Sequence, residues 1–284
     1  MKAAQYDLVG MVSSLSKKYV PGSKKYEVVK KKARLEAEKV FGEKAPQGPV
    51  VLKPFGKIVF PFYPMGSNVS SINLFDLDEL IIFSFYWQNR GRYKNVADIG
   101  ANIGLHSILL SRCGFNVRSY EPDPEHYKIL KKNLSVNQCQ HVSTFNAAVS
   151  SVASTKEFVR VLGNTTGSHL AGSKKDPYGK LERFLVETQS IVKIMRWADL
   201  IKIDAEGHEK DIILATKPVD WQGKDAMVEV QNKENAKAIF DHFKNSSIGL
   251  FAQKKEWAKV VTEDEMPNGY KEGSLLIKGS IQEE

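Results

Sequence analysis

Asp204, Glu206, His208 and Glu209 place four titratable side chains within six residues, directly after the strand-like run Leu200 to Ile203. Crowded acids and an imidazole at one strand end perturb one another's basicity, which suits them to move a proton to or from a hydroxyl. A second constellation is Asp98-Ile99-Gly100-Ala101-Asn102-Ile103-Gly104, a strand running into a glycine-spaced turn. Glycine there permits a sharp reversal and a close approach of backbone to a ligand. A third is Glu121, seventeen residues after Gly104 at the end of Asn116 to Tyr120, where an acid can accept both hydroxyls of a ribose.

The turn is not built for a pyrophosphate, because Asn102 stands where a dinucleotide fingerprint has its second glycine. Asp98 at the strand end can instead receive an ammonium, directly or through a relayed hydrogen bond. Asn146 and Ala147, after a third strand at Val142 to Asn146, could flank an adenine edge. Together, Asp98, Gly100, Asn102, Gly104, Glu121, Asn146 and Ala147 describe a pocket for an adenosine carrying an amino acid, which is S-adenosylmethionine.

These segments, with Glu121-Pro122-Asp123-Pro124 and Ile201-Lys202-Ile203-Asp204-Ala205-Glu206-Gly207-His208-Glu209, resemble the FkbM-type methyltransferases from about Asn95 to Val230. The resemblance implies a Rossmann-like class I methyltransferase fold, α/β with a mostly parallel seven-stranded sheet in which one strand is antiparallel. It also implies methyl transfer from S-adenosylmethionine to a hydroxyl, commonly on a sugar, so that the expected partner is a sugar or small-molecule acceptor.

Such a transfer gains most of its rate from alignment, about 7 to 11 kcal/mol, and a general base adds a further factor. Asp204 or His208 is the expected base, with Glu206 positioning the acceptor. Period-two alternation puts Lys202 on the face of Asp204, where it is a fourth catalytic candidate or an ion-pair partner of Asp204 or Glu229. Asp204, Glu229 and Asn232 could together hold Mg²⁺, although no metal is required by the pattern. His106 projects toward the cofactor's methionine end or into the core. Thr166, Ser168, Trp87 and Trp197 could contact a sugar.

The elements that must position these groups follow from hydrophobic periodicity. Strands are expected near 95–99, 116–120, 142–146, 200–204, 226–230, 248–252 and 274–278, with helices near 103–113, 124–137, 207–215 and 234–245. A long loop at Asn164 to Gly179 interrupts the alternation as a lid or acceptor-binding element. Upstream, residues 45–94 read as a hairpin-bearing connector, with five prolines and three glycines between Ala45 and Gly66. Residues 1–44 read as a basic helical extension whose stripe Tyr26, Val29, Ala33, Ala37 and Val40 packs on the core, with Gly42 as its stop. Residues 95–284 form the cofactor-binding domain.

Composition narrows the alternatives. With 42% hydrophobic and 26% charged residues, the chain is neither disordered nor a disulfide scaffold. The net charge of +8 divides into +6 over residues 1–44 and +2 over the remainder. The excess therefore bears on docking of the helix to an anionic partner or a second subunit, and nucleic acid is not the expected partner. The competing readings are an RNA ribose 2'-O-methyltransferase using that helix, and a non-catalytic binding module on the same fold. The eight-residue apolar stretch Leu80 to Trp87 is too short to span a bilayer. No signal peptide is read at the start, and two cysteines point to a reducing, cytoplasmic setting.

Overall fold

A computed structural model describes residues 5–7, 10, 12, 15, 17–46, 48–66, 69–174 and 179–279. The strands in chain order are β1 (Gln5–Tyr6), β2 (Val50–Leu52), β3 (Gly56–Ile58), β4 (Asn95–Ile99), β5 (Asn116–Tyr120), β6 (Val142–Phe145), β7 (Ala148–Ser150) and β8 (Ser154–Val161). They continue as β9 (His169–Leu170), β10 (Leu181–Ser190), β11 (Leu200–Ile203), β12 (Asp225–Val228), β13 (Gly249–Ala252), β14 (Ala258–Lys259) and β15 (Leu275–Lys278). The helices are α1 (Lys24–Phe41), α2 (Leu77–Gln88), α3 (Leu105–Arg112), α4 (Pro124–Val136), α5 (Ile191–Met195), α6 (Glu209–Leu214) and α7 (Lys233–Phe243).

The main sheet has eight strands in the order β14-β13-β15-β12-β11-β4-β5-β6. β12, β11, β4, β5 and β6 pair in parallel, and β15 runs antiparallel to both β12 and β13. The sheet therefore has eight strands where seven were expected, with β15 and the edge strand β14 running against the others. The eighth, the two-residue β14, is an antiparallel edge addition that its exposed Ala258-Lys259 pair does not announce in sequence. The central strands β4, β11 and β12 are almost wholly buried, which explains why they read as short, mainly apolar runs, with Asp98, Lys202 and Asp225 as their buried charged residues.

One apolar cluster joins α1, α2 and α3, with Ala33, Phe75, Leu80, Leu105 and Ile108 together in it. The other packs α5, α6 and α7, through Ile194, Ile212 and Ile239, on the side that includes Ala97, Ile201 and Ala226. The α1 stripe is buried at Tyr26, Ala33, Ala37 and Val40, with Val29 packed at its margin. Ser23 starts the helix by accepting from Tyr26 N (3.2 Å). At Gly42, a β-carbon would meet Glu38 O at 2.2 Å, so only glycine ends the helix in this way. β2 and β3 form the expected hairpin.

The interruption between β6 and β11 is more ordered than a loop. It holds a four-stranded sheet, β7-β10-β8-β9, in which β8 and β10 pair antiparallel over eight residues. Of the expected loop, residues 164–174 hold a short 3₁₀ turn (Thr165–Gly167) and the edge strand β9, and residues 175–178 lie outside the described residues.

Candidate active site

β4 leads into the glycine turn at the centre of the main sheet, where the chain departs to β5 on one side and β11 lies on the other. In open α/β sheets this is where ligands bind, beyond the carboxyl ends of the strands. Gly100 has φ +74°, and a β-carbon there would lie 1.8 Å from Asp204 O, so the β4 and β11 turns touch through the missing side chain. Gly104, with φ +93°, opens α3 against Leu130 of α4. Gly100 N and Ala101 N both donate to Tyr120 O at 3.0 Å, which ties the turn to the end of β5.

A cavity of about 640 Å³ opens over this turn. Gly100, Asn102, Glu121, Asp204, Glu206 and Glu229 all line it, drawn from the ends of β4, β5, β11 and β12. Glu121 accepts from Asn102 N (2.8 Å) through Oε2 and from Asp123 N (2.9 Å) through Oε1. Burial pushes its carboxyl up to about 8, against the lowering effect of those two hydrogen bonds.

Four expected cofactor contacts lie elsewhere, the first being Gly104, which caps α3 and does not line the cavity. Asp98 is fully buried beneath the turn, where Oδ2 accepts from Ser107 Oγ (2.6 Å), and it does not line the cavity. The register pairs Asp98 with Lys202 across β4 and β11, so the two side chains share a face and the carboxylate turns toward the lysine rather than the ligand. Asn146 donates to Glu121 O (2.9 Å) and Pro122 O (3.1 Å), closing backbone acceptors left open where β5 stops. Neither it nor the buried Ala147 faces the cavity, whereas Ala148 and Val149 do.

Lys202 is also buried, and its ammonium donates to Gly100 O (3.0 Å) and Asp204 Oδ2 (3.3 Å) and lies 3.8 Å from Asp98 Oδ1. Despite burial, the charges of Asp204 and Asp98 hold its pKa above the ordinary lysine range. It is a positioning cation beneath the cavity, as the ion-pair reading expects, with Asp204 and not Glu229 as its bonded partner.

Burial, then the neighbouring charge of Asp204, pushes Glu206 up to about 7, while Lys174 bonds its Oε2 at 2.5 Å and opposes the shift. Glu209 is turned inward: it accepts from Ala205 N and Gly207 N at 3.1 and 2.9 Å and from Asn235 Nδ2 at 2.7 Å, pinning the loop after β11. His208 lines the cavity, but its ring nitrogens are engaged by Ser150 Oγ (3.0 Å) and Ser173 Oγ (3.2 Å). Burial lowers its pKa to about 4, so the imidazole is neutral at pH 7. Burial and the surrounding acids raise Glu229 well above the carboxylate range.

For a metal, Asp204 and Glu229 converge on the cavity but Asn232 does not, because its side chain caps α7 by accepting from Asn235 N (2.8 Å). Among the described residues no group of three or more His, Cys, Asp or Glu side chains is arranged to hold a metal ion. Trp87 and Trp197 lie off the cavity, stacked with Arg90 (4.2 Å) and Arg118 (4.1 Å). Thr166 and Ser168 do line it, with Thr165 beside them.

The sequence reading missed the wall contributed from upstream, Val69, Asn73, Leu74 and Glu79. Glu79 sits in the first turn of α2 with its Oε2 2.9 Å from His106 Nε2, and His106 Nδ1 lies 3.0 Å from Tyr86 Oη. His106 is therefore a buried support for Glu79 rather than a cavity residue. One signal was available, since α2 is otherwise apolar around its circumference and a helix of that kind buries whatever acid it carries.

Residues 98–244 match the family Methyltransf_21, the methyltransferase FkbM domain. The chain belongs to the FkbM methyltransferase family. No curated protein matches this methyltransferase. Among solved structures, it is similar to cofactor-bound Rv0187 from MTB, at 13% identity and a TM-score of 0.38, over 69% of this chain and 78% of that one. Precorrin-6y C5,15-methyltransferase from Geobacter metallireducens GS-15 is similar at 11% identity and a TM-score of 0.39, over 76% and 91% of the two chains. The O-methyltransferase from Bacillus cereus in complex with SAH is similar at 12% identity and a TM-score of 0.37, over 69% and 79%.

S-adenosylmethionine is the cofactor of this methyltransferase. The residues present fit it: Glu121 offers a carboxylate at the end of β5, and Asn102 Oδ1 and Asp204 Oδ1 are buried acceptors with no hydrogen-bond partner. No helix among the described residues is long and apolar enough to cross a membrane.

Proposed function

We propose that the chain is an O-methyltransferase whose acceptor is a hydroxyl of a sugar, a glycan or a small hydroxylated molecule. The observation that carries this reading is Glu206, a cavity-lining carboxyl at the end of β11 whose pKa is raised to about 7. A general base is most effective with a pKa near the working pH, and a hydroxyl must lose its proton as its oxygen attacks.

S-adenosylmethionine, when bound, supplies a methyl group on a sulfonium. Glu121 would hold the ribose hydroxyls with the lone pairs left free by Asn102 N and Asp123 N. Glu206 would take the acceptor's proton, held in place by Lys174. Lys202 would orient Asp204 from below and keep the Gly100 carbonyl in position. His208 is a weaker candidate for base than the sequence suggests, since Ser150 and Ser173 occupy both ring nitrogens.

The scarcity of cations in the lining supports an acceptor with no phosphate where it enters. Lys174 is the one lysine, and no arginine joins it, among the described lining residues, while six acids face the cavity, of which Glu121 and Glu229 are held toward the neutral form by burial. RNA, which needs phosphate neutralised by Lys and Arg, fits this lining poorly. A cytoplasmic location is part of the same reading, supported by Cys113 and Cys139 being free thiols.

The test is transfer of labelled methyl from S-adenosylmethionine to a panel of neutral glycosides, nucleotide sugars and RNA. Labelling of neutral glycosides is expected. Labelling confined to RNA would replace this reading, and failure of the protein to bind S-adenosylhomocysteine in calorimetry would end it.

A further inference from the structure

We infer that Glu79, which lies outside the matched family segment, is a cofactor-binding residue that receives the α-ammonium of S-adenosylmethionine. The inference rests on the proposed cofactor site. It concerns which of this chain's residues hold the amino-acid arm.

Three cavity-lining oxygens, Glu79 Oε2, Asn102 Oδ1 and Asp204 Oδ1, are buried and make no hydrogen bond. Glu79 Oε2 has one polar neighbour, His106 Nε2 at 2.9 Å, and a carboxylate oxygen keeps a second lone pair for a further donor. A buried acceptor left unmade costs about 1 to 3 kcal/mol, so these atoms call for donors from a ligand. An ammonium carries three N–H donors and no acceptor. A sulfonium carries no N–H at all, and the ribose hydroxyls are drawn to Glu121 on the next strand.

Placement agrees. Glu79 meets His106 in the first turn of α3, immediately after the glycine turn, so it overhangs the turn that the amino-acid arm must cross from Glu121. Glu79 and Asp204 line the same cavity as Gly100 of that turn. The His106 contact keeps Glu79 in the ionised form that an ammonium needs: the histidine and Lys202 outweigh burial and hold its pKa below the ordinary range. Tyr86, bonded to the far nitrogen of His106, fixes the imidazole in turn.

The decisive experiment compares two ligands on the full-length protein by calorimetry. S-adenosylhomocysteine has the amino-acid arm, and 5'-methylthioadenosine has the same nucleoside and thioether without it. Glu79→Gln should weaken S-adenosylhomocysteine about tenfold to a hundredfold, the range of a charged hydrogen bond, and leave 5'-methylthioadenosine within about twofold. Glu79→Asp should recover part of the loss. Equal weakening of both ligands would mean that Glu79 only shapes the pocket, and an unchanged S-adenosylhomocysteine affinity with a raised KM for the acceptor would move it to the acceptor side; either overturns the inference. If the wild-type protein binds neither ligand, the cofactor reading itself fails, which is a different result from both.

Discussion

Replacing Lys202 by methionine separates a positioning cation from a catalytic one. The lysine side chain is 6% exposed and Asp98 beside it 0%, so Lys202→Met leaves a buried carboxylate without its cation. Removing one member of a buried pair costs about 3 to 5 kcal/mol, most of it the uncompensated charge. For 284 residues, an unfolding entropy of about 2.1 cal/mol/K per residue amounts to about 0.6 kcal/mol/K, so the melting temperature should fall by about 5 to 8 °C. The double variant Lys202→Met with Asp98→Asn removes the stranded charge and retains an acceptor for Ser107. It should recover at least half of the loss. Differential scanning calorimetry of the three proteins reads both numbers. A fall below 2 °C for the single variant, or a double variant no more stable than the single, would refute the electrostatic account of this cluster.

Gly100→Ala should weaken S-adenosylhomocysteine more than tenfold, because a left-handed alanine costs about 1 to 2 kcal/mol and its β-carbon would meet Asp204 O at 1.8 Å. Gly91→Ala, in open space, is the matched control, and equal affinities for the two variants would dismiss the close approach. In steady-state kinetics, kcat/KM should fall on the acid side of about pH 7 as Glu206 takes up a proton, and Glu206→Gln should lose about a hundredfold to ten-thousandfold in rate together with that limb. A variant that keeps both the limb and the rate would remove Glu206 as the base. Glu121, Glu206 and Glu209 are raised from 4.5 to about 8, 7 and 7, so the folded chain holds protons that the unfolded chain releases. Their stabilising contribution is complete below pH 4.5 and lost as pH rises through 7 to 8; the melting temperature of the ligand-free protein should therefore decline from pH 6 to pH 9, and a flat profile would contradict those shifts.

Short runs dominated by apolar residues made β4, β11 and β12 legible, since strands buried on both faces carry few polar residues. β5 was legible from the alternation of Val117, Ser119 and Tyr120 with its neighbours and from the Glu121-Pro122 stop. β8 and β10 escaped for the opposite reason. Glu157, Arg160, Glu182 and Arg183 pair across them as Arg160–Glu182 and Arg183–Glu157, so each strand taken by itself reads as a polar loop. The same asymmetry runs through the site. Gly100 and Glu121 were legible because backbone geometry and strand-end position dictate residue type. The direction of Asn146 was not, because it depends on which carbonyls the end of β5 leaves unpaired. Glu79 was hidden beside Asp76 and Asp78, acids that a helix N-terminus attracts in any case.

Where the site draws its walls also bears on the boundary near residue 95. The matched segment begins at Asp98, yet Val69, Asn73, Leu74 and Glu79 precede it and Tyr270 follows it, and all of them line the cavity. The upstream residues cannot be an ornament on an independent domain, because Phe75, Leu77 and Leu80 belong to the same buried cluster as Leu105, Ile108 and Leu109 of α3. α3 begins where the glycine turn ends, so the packing that seats α2 also sets how the turn lies over Glu121 and Asp204. Interior packing transmits displacement because it leaves little free volume. A change that loosened α2 would therefore reach the cofactor turn through Leu105 and His106 as well as through Glu79 itself.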